Sequence, residues 1–232
     1  MKTPLVMIPG MMCDARLWAP QVSAFSAGRS VVLADISTAE TMEDLAACIL
    51  RDAPERFALA GLSMGGIVAM EVLRQAPHRV ERLALLDTNH RAELDELKNN
   101  RLPQIAAVKA GRLAEVMREE MKPRYLGYGA RRADILALCM DMALDLGPEV
   151  FLRQSAALMA RPDQTLVLRQ TRVPTLVLCG SGDVLCPVSR HQEMAAMIQN
   201  ATLEVIEGAG HLPPLERPNL TNAAMERWLE ET

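Results

Sequence analysis

Short apolar runs of strand length alternate along the chain with stretches in which apolar residues recur every three or four positions. The runs contain few polar residues, which is typical of strands covered on both faces. They predict strands at Leu5–Ile8, Val31–Ala34, Ala58–Gly61, Leu83–Leu86, Thr175–Cys179 and Leu203–Ile206. Helices are predicted near Trp18–Phe25, Met42–Ala53, Gly65–Ala76 and Thr221–Glu230. This alternation predicts an α/β fold, in which a mostly parallel sheet of about six strands lies between two layers of helices.

The alternation of strands and helices is interrupted in the second half of the chain. From about residue 91 to about residue 171, Leu, Ala and Met recur only at helical spacing, and Gly147-Pro148 predicts a break between two helices. The strand pattern resumes at Val173-Pro174. We therefore expect a core of residues 1–90 and 172–232, with residues 91–171 inserted as a helical cap over the carboxyl edge of the sheet.

Composition excludes several classes of protein. The 25 Lys and Arg and 29 Asp and Glu give a net charge of -4, which lacks the basic surface that nucleic-acid-binding proteins present. No apolar run is long enough to span a membrane, and the early run from Leu5 has no cleavage site after it. The five cysteines form no C-x-x-C pair, and no two histidines have metal-ligand spacing. We expect a soluble cytoplasmic protein that acts on a small molecule without a metal or an organic cofactor.

The most informative segment is Gly61-Leu62-Ser63-Met64-Gly65, which follows an apolar strand and leads into a helical run. In a G-x-S-x-G turn between strand and helix the serine has a strained backbone, so its neighbours two positions away must be small. The hydroxyl then lies at a helix N-terminus, where backbone N–H groups favour negative charge. Ser63 is therefore the predicted nucleophile; the other interpretation is a glycine-rich turn that contains an idle serine.

A serine nucleophile needs a general base and a carboxylate that orients the base. His211 directly follows the last predicted strand, so it is expected at the same sheet edge as Ser63. Asp183 follows the strand before it, in a glycine-rich loop suited to approach the base. Asp87 is the alternative carboxylate, because it ends the strand that follows Ser63. His211 without a catalytic role would be an ordinary loop histidine.

An oxyanion hole needs two hydrogen-bond donors. One is expected to be the backbone N–H of Met64, the residue after the nucleophile. The other is expected from the loop after the first strand, where Gly10 allows close approach of the backbone. We assign the Met11 N–H, with the Met12 N–H as the alternative, while an ordinary turn is the interpretation without function.

With these residues in place, the chain resembles the α/β-hydrolase superfamily, and the resemblance extends over nearly its whole length. It is similar in particular to the small single-domain esterases and lactonases, such as 3-oxoadipate enol-lactonases and pimeloyl-carrier-protein methyl esterases. The resemblance implies the α/β-hydrolase fold with an inserted helical cap. Two departures stand out: Pro9-Gly10 occupies the place of the His-Gly of many relatives, and the chain starts at what is normally the third strand.

The expected function is hydrolysis of carboxylic esters of small to medium acyl substrates through an acyl-enzyme. The first alternative is a specific metabolic hydrolase or lyase that uses the same triad on an enol-lactone, a thioester or a C–C bond. The second is a ligand-binding member of the fold without catalysis. The oligomeric state is not predicted.

Three further groups of residues have open interpretations. Methionines near the expected site and in the expected cap either line an adaptable acyl pocket or fill gaps in helix packing: Met11, Met12, Met64, Met117, Met121, Met140, Met142 and Met159. Arg124, Arg131 and Arg132 either bind an anionic group or form a solvated face. Cys13 and Cys186 flank the expected oxyanion and Asp183 loops, where a structural role is favoured over a redox role.

Overall fold

The computed structural model describes residues 2–127 and 131–230, and its centre is one six-stranded sheet in the order β2-β1-β3-β4-β5-β6. The strands are β1 (Leu5–Ile8), β2 (Val31–Leu33), β3 (Phe57–Leu62), β4 (Val80–Leu86), β5 (Thr175–Gly180) and β6 (Ala201–Ile206). Every hydrogen-bonded strand pair is parallel. The predicted α/β fold with about six parallel strands is confirmed.

The apolar character of the strands follows from their position in the sheet. Every residue of β1, β3 and β5 is buried, because helices cover both faces of the sheet. Alternate residues of β1 contribute to opposite cores: Val6 and Ile8 pack on one face, and Leu5 and Met7 on the other. The edge strands β2 and β6 are only partly buried.

Helices connect the strands and form both outer layers. They are α1 (Ala19–Phe25), α2 (Met42–Asp52), α3 (Met64–Gln75), α4 (Asp95–Lys109), α5 (Leu113–Glu115), α6 (Arg132–Met159), α7 (Thr165–Gln170), α8 (Val188–Met197), α9 (Pro213–Glu216) and α10 (Pro218–Glu230). Short turns of 3-10 or π-helix lie at Ala15–Trp18, Val116–Met121 and Lys122–Arg124. Within the described ranges, no helix combines the length and the apolar character needed to cross a bilayer.

The segment between β4 and β5 contains α4 to α7 and is called here the helical insertion. Its longest helix, α6, bends at Gly147, which has a positive φ of 80° and precedes Pro148. The predicted break at this pair is therefore present. Gln154 of α6 connects the insertion to the core, because its amide accepts from the Met12 N–H at 2.8 Å and donates to the Ile36 carbonyl at 3.1 Å.

Candidate active site

Ser63 lies at the junction of β3 and α3 in a strained backbone conformation. Its φ of 55° and ψ of -117° lie outside the common regions for a residue with a side chain. A Cβ atom on Gly61 would overlap the Gly65 carbonyl, and a Cβ atom on Gly65 would overlap the carbonyl oxygens of Ile8 and Pro9. The two glycines of G-x-S-x-G are therefore required by close backbone packing, as the motif predicts.

The three predicted triad residues lie together at the carboxyl edge of the sheet. His211 Nε2 is 2.9 Å from Ser63 Oγ, although 148 positions separate the two residues. His211 Nδ1 is 2.7 Å from Asp183 Oδ2. Both distances are those of good hydrogen bonds. The nucleophile, base and orienting carboxylate expected from the sequence thus form one continuous hydrogen-bonded chain.

The environment of Asp183 keeps its carboxylate ionised. Its side chain is completely buried, and burial alone would raise its pKa. The neighbouring His211 and the backbone N–H groups of Cys186 and Leu185 outweigh burial and lower the pKa below its ordinary value. The two N–H groups donate to Oδ1 at 3.1 and 2.8 Å. An ionised Asp183 stabilises a positive imidazolium at His211.

Asp87, the alternative carboxylate, lies at the end of β4 but does not hydrogen-bond to His211. It is fully buried with a φ of 44°, and its Oδ1 accepts from the Gly180 N–H at 2.9 Å. Burial raises its pKa well above the ordinary value, and the nearby Asp183 charge raises it further. The surroundings of Asp87 therefore disfavour its negative form. The geometry favours Asp183, the first choice from the sequence.

Glu216 positions the His211 loop, and the sequence reasoning missed it. Its Oε1 accepts from the N–H groups of Gly210 and Leu212 at 2.9 and 3.0 Å. Its Oε2 accepts from the Gly127 N–H at 2.8 Å and so connects the loop to the helical insertion. The sequence does contain one indication of this role: Glu216 is an acidic residue just after a glycine-rich loop, whose backbone N–H groups need acceptors.

The two predicted oxyanion donors are free to bind a ligand. In the described part of the chain, neither the Met11 N–H nor the Met64 N–H has a hydrogen-bond acceptor. The alternative donor, the Met12 N–H, is already bonded to Gln154. A Cβ atom on Gly10 would lie 3.4 Å from Ser63 Cβ, so the loop runs directly beside the nucleophile. The free amides therefore favour Met11 over Met12.

Thr88 and His191 form a second support of Ser63, which the sequence reasoning also missed. The Thr88 hydroxyl donates to the Ser63 carbonyl at 2.6 Å, and the Thr88 N–H donates to His191 Nε2 at 3.0 Å. His191 Nδ1 lies 3.3 Å from the Pro187 carbonyl, which accepts from it. Burial lowers the His191 pKa to about 4, so the ring is neutral and its Nε2 accepts a hydrogen bond.

A cavity of about 300 Å³ opens beside Ser63 between the sheet edge and the helical insertion. Of the methionines considered above, Met11, Met64 and Met121 line it. Met12, Met117 and Met142 are instead fully buried. Thioethers thus contribute to the cavity, but several of these methionines fill packing gaps.

The three arginines named from the sequence have different positions. Arg124 lines the cavity. Arg132 donates to the carbonyls of Pro123, Leu126 and Gly127 and so closes a turn. Arg131 is exposed and does not line the cavity. Only Arg124 is therefore placed to meet a ligand.

One group of side chains has the composition of a metal site. The ligand atoms of Asp183, Cys186 and His211 all lie within 4.8 Å of one another, an arrangement that the sequence reasoning did not anticipate. Burial and the charges of Asp183 and Asp87 raise the Cys186 thiol pKa well above its ordinary value, and burial raises that of Cys13 to about 12. Protonated thiols are poor ligands and poor nucleophiles. Because His211 and Asp183 already bond to each other, the arrangement favours proton transfer over metal binding.

Comparisons with known proteins identify the family and the fold. Residues 5–224 match the sequence profile of the Alpha/beta hydrolase family. The pimeloyl-[acyl-carrier protein] methyl ester esterase of Aromatoleum aromaticum is 27% identical over 77% of this chain and 76% of its own length. A thermophilic esterase from Thermogutta terrifontis, solved with malate bound, has a TM-score of 0.89 and 30% identity over 98% of this chain and 89% of that chain. The enol-lactonase of Burkholderia xenovorans, 24% identical, shares the fold with a TM-score of 0.86 over 100% and 92% of the two chains.

Proposed function

Because this chain belongs to the alpha/beta hydrolase family, we propose that it is a serine hydrolase that cleaves carboxylic esters of small to medium acyl groups through an acyl-enzyme. The observation that carries the proposal is the hydrogen-bonded chain from Ser63 Oγ through His211 to Asp183. A fold likeness alone does not define a reaction, whereas this chain of groups has a definite chemistry.

Acylation begins when Ser63 Oγ attacks the ester carbonyl and His211 Nε2 takes the hydroxyl proton. The carbonyl oxygen becomes an oxyanion, which accepts hydrogen bonds from the Met11 and Met64 N–H groups. Asp183 stabilises the imidazolium that forms. His211 then gives its proton to the leaving alcohol, and the C–O bond to that alcohol breaks.

Deacylation repeats these steps with water as the nucleophile. His211 Nε2 takes a proton from a water molecule, which attacks the acyl carbonyl bound to Ser63. The second oxyanion uses the same two amides. Its collapse returns the proton to Ser63 Oγ and releases the carboxylic acid.

The cap and the compartment are part of the same proposal. The proposal includes a cap of residues 91–171 over a core of residues 1–90 and 172–232, which is supported by the contribution of Arg101, Met121 and Arg161 to the cavity. All five cysteines are free. Free thiols suit a reducing compartment, so we place the reaction in the cytoplasm, with a small-molecule ester as the substrate.

The first experiment is hydrolysis of p-nitrophenyl esters from acetate to decanoate by the wild type and by Ser63→Ala. We expect the substitution to lower kcat at least about 10³-fold, because no other group replaces the nucleophile. The acyl chain length that is hydrolysed fastest indicates the size of the acyl pocket. Ser26→Ala is the matched control, since Ser26 is exposed and does not line the cavity.

Two results would contradict the proposal. Full activity of Ser63→Ala would show that another group attacks the ester. A folded wild type that hydrolyses none of the esters, and no lactone or thioester in a parallel screen, would instead indicate a ligand-binding member of the fold.

A further inference from the structure

The cavity beside Ser63 has a strongly basic lining. Arg101 of α4, Arg161 after α6 and Arg190 of α8 all contribute to it, and these three residues are called here the arginine wall. Together with Arg124 they oppose two glutamates, Glu93 and Glu120, among the described lining residues. The protein as a whole has a net charge of -4, so this concentration of positive charge is local.

Two guanidinium groups of the wall share a single carboxylate oxygen. Arg101 Nη2 lies 3.3 Å and Arg161 Nη1 3.1 Å from the same Oε2 of Glu93. The side chains of Arg101, Arg161 and Glu93 are only 15, 6 and 2% exposed. One carboxylate cannot neutralise two buried cations, so a positive charge remains uncompensated in a place that water hardly reaches.

The wall also has donors without acceptors. Arg101 Nε is buried and has no hydrogen-bond partner. Among the residues that the structure describes, Arg190 forms no ion pair. Burial lowers the pKa of Arg161, and the charges of Arg101 and Arg190 lower it further against the opposing effect of Glu93. These observations indicate that a further anion belongs beside the wall.

The second glutamate of the lining does not supply that anion. Glu120 is exposed, and its carboxylate accepts from Gln104 Nε2 at 3.1 Å. The Glu120 charge is therefore largely solvated and weakly coupled to the wall.

The position of Arg101 indicates that the expected anion binds close to Ser63. Its Nη1 lies 3.7 Å from the sulfur of Met11, the residue whose N–H we assign to the oxyanion hole. The cavity of about 300 Å³ is at the small end of ligand pockets, so a bound molecule occupies the reaction centre and the wall at once. Guanidinium groups present their N–H donors in a planar fork that matches a carboxylate.

We infer that the substrate is a small ester that carries a free carboxylate, which binds to Arg101, Arg161 and Arg190 while its ester carbonyl faces Ser63. The half-ester of a dicarboxylic acid is the simplest molecule of this class. The inference depends on the proposed function for the cleavage step, but the binding of the carboxylate does not depend on it.

The test compares substrates that have the same shape and differ in charge. One pair is monomethyl glutarate and its terminal amide, with the carboxylate on the acyl side. The other is 4-acetoxybutyrate and its amide, with the carboxylate on the alcohol side. In one of the two pairs we expect kcat/KM to be at least about tenfold higher for the acid than for the amide. A tenfold difference is the effect expected from one charge-assisted hydrogen bond.

Variants of the arginine wall test whether its residues cause the preference for the acid. Arg101→Gln and Arg190→Gln are expected to lower the ratio of kcat/KM for the preferred acid to that for its amide at least about tenfold. Because Arg190 forms no ion pair with a described residue, its removal breaks no buried pair, and the variant is expected to fold. Arg131→Gln makes the same charge change outside the cavity and is expected to change neither value.

A binding measurement separates this inference from the proposed function. Titration calorimetry with glutarate and Ser63→Ala measures carboxylate binding without turnover, and adding Arg190→Gln is expected to weaken it at least about tenfold. Glutarate binding that depends on Arg190 in a protein without esterase activity would support the carboxylate site at the arginine wall and contradict the proposed function. Ser63-dependent hydrolysis of acids and amides at equal rates in both pairs, without glutarate binding, would overturn the inference alone.

Discussion

At the scale of single residues, two buried carboxyl groups at the same sheet edge have pKa values shifted in opposite directions. Asp183 is ionised because His211 and two backbone N–H groups favour its negative form. Burial raises the pKa of Asp87, which has one backbone donor and a negative neighbour. The surroundings of each carboxyl group, and not its residue type, therefore set the direction of its pKa shift.

His191 makes the stability of the protein depend on pH. Its pKa is lowered to about 4 in the folded state by burial, against an ordinary value of 6.5. Between these values the unfolded chain binds the extra proton, so the free energy of unfolding is intact above pH 6.5 and falls as the pH drops towards 4. The full loss is on the order of 3 kcal/mol.

Denaturant unfolding at pH 7, 5.5 and 4.5 measures this loss. His191→Gln removes the titrating group and is expected to flatten the pH dependence relative to the wild type. His78→Gln, at an exposed position, is the matched control and is expected to keep the wild-type slope. Equal slopes in the wild type and His191→Gln would show that other groups govern acid sensitivity.

At the scale of elements, the apolar pattern predicted every strand, and the misplaced ends have physical reasons. β1 has its predicted bounds, Leu5–Ile8, because the pattern there is uninterrupted. β4 begins at Val80, three residues before the predicted start, since Glu81 and Arg82 are polar but continue the strand. β6 begins at Ala201, where pairing with Thr175 of β5 extends it beyond the apolar run.

The supports of the site were beyond sequence reasoning because they depend on distant contacts. Ser63, Asp183 and His211 were predictable from local motifs at strand ends, and the geometry supports them. His191, in contrast, contacts Thr88 across 103 positions, and no local pattern indicates that pairing. Gln154 contacts Met12 across 142 positions, and no local pattern indicates that contact either.

The turn between β3 and α3 permits a test of close packing. Gly65→Ala is expected to destabilise the protein by about 1–3 kcal/mol, because the added methyl group overlaps the carbonyls of Ile8 and Pro9. It also displaces Ser63 from the oxyanion loop, so kcat is expected to fall. Thermal unfolding and esterase assays measure the two effects.

Gly28→Ala is the matched control for that substitution. The nearest atom to its added Cβ is the Phe25 carbonyl oxygen at 4.0 Å, so stability is expected to stay within about 0.5 kcal/mol of the wild type. Equal stability and activity of Gly65→Ala and Gly28→Ala would contradict the packing argument.

At the scale of the whole molecule, two apolar cores on opposite faces of the sheet stabilise the fold without covalent crosslinks. All five cysteines are free. We therefore expect the same melting temperature with and without a thiol reductant. A native disulfide typically contributes about 2–5 kcal/mol, so a reductant that lowers the melting temperature by several degrees would reveal a crosslink. A disulfide-bonded protein treated in parallel shows that the reductant is active.

The separation of 148 positions between Ser63 and His211 also has a consequence for synthesis. A nascent chain that has left the ribosome only as far as β5 contains Ser63, the proposed nucleophile, but not His211, the proposed base. The contact also requires β4 to pair with β5 across the helical insertion, which closes a large loop and is slow. We therefore expect esterase activity to return after dilution from denaturant only when β5 and β6 have docked against β4.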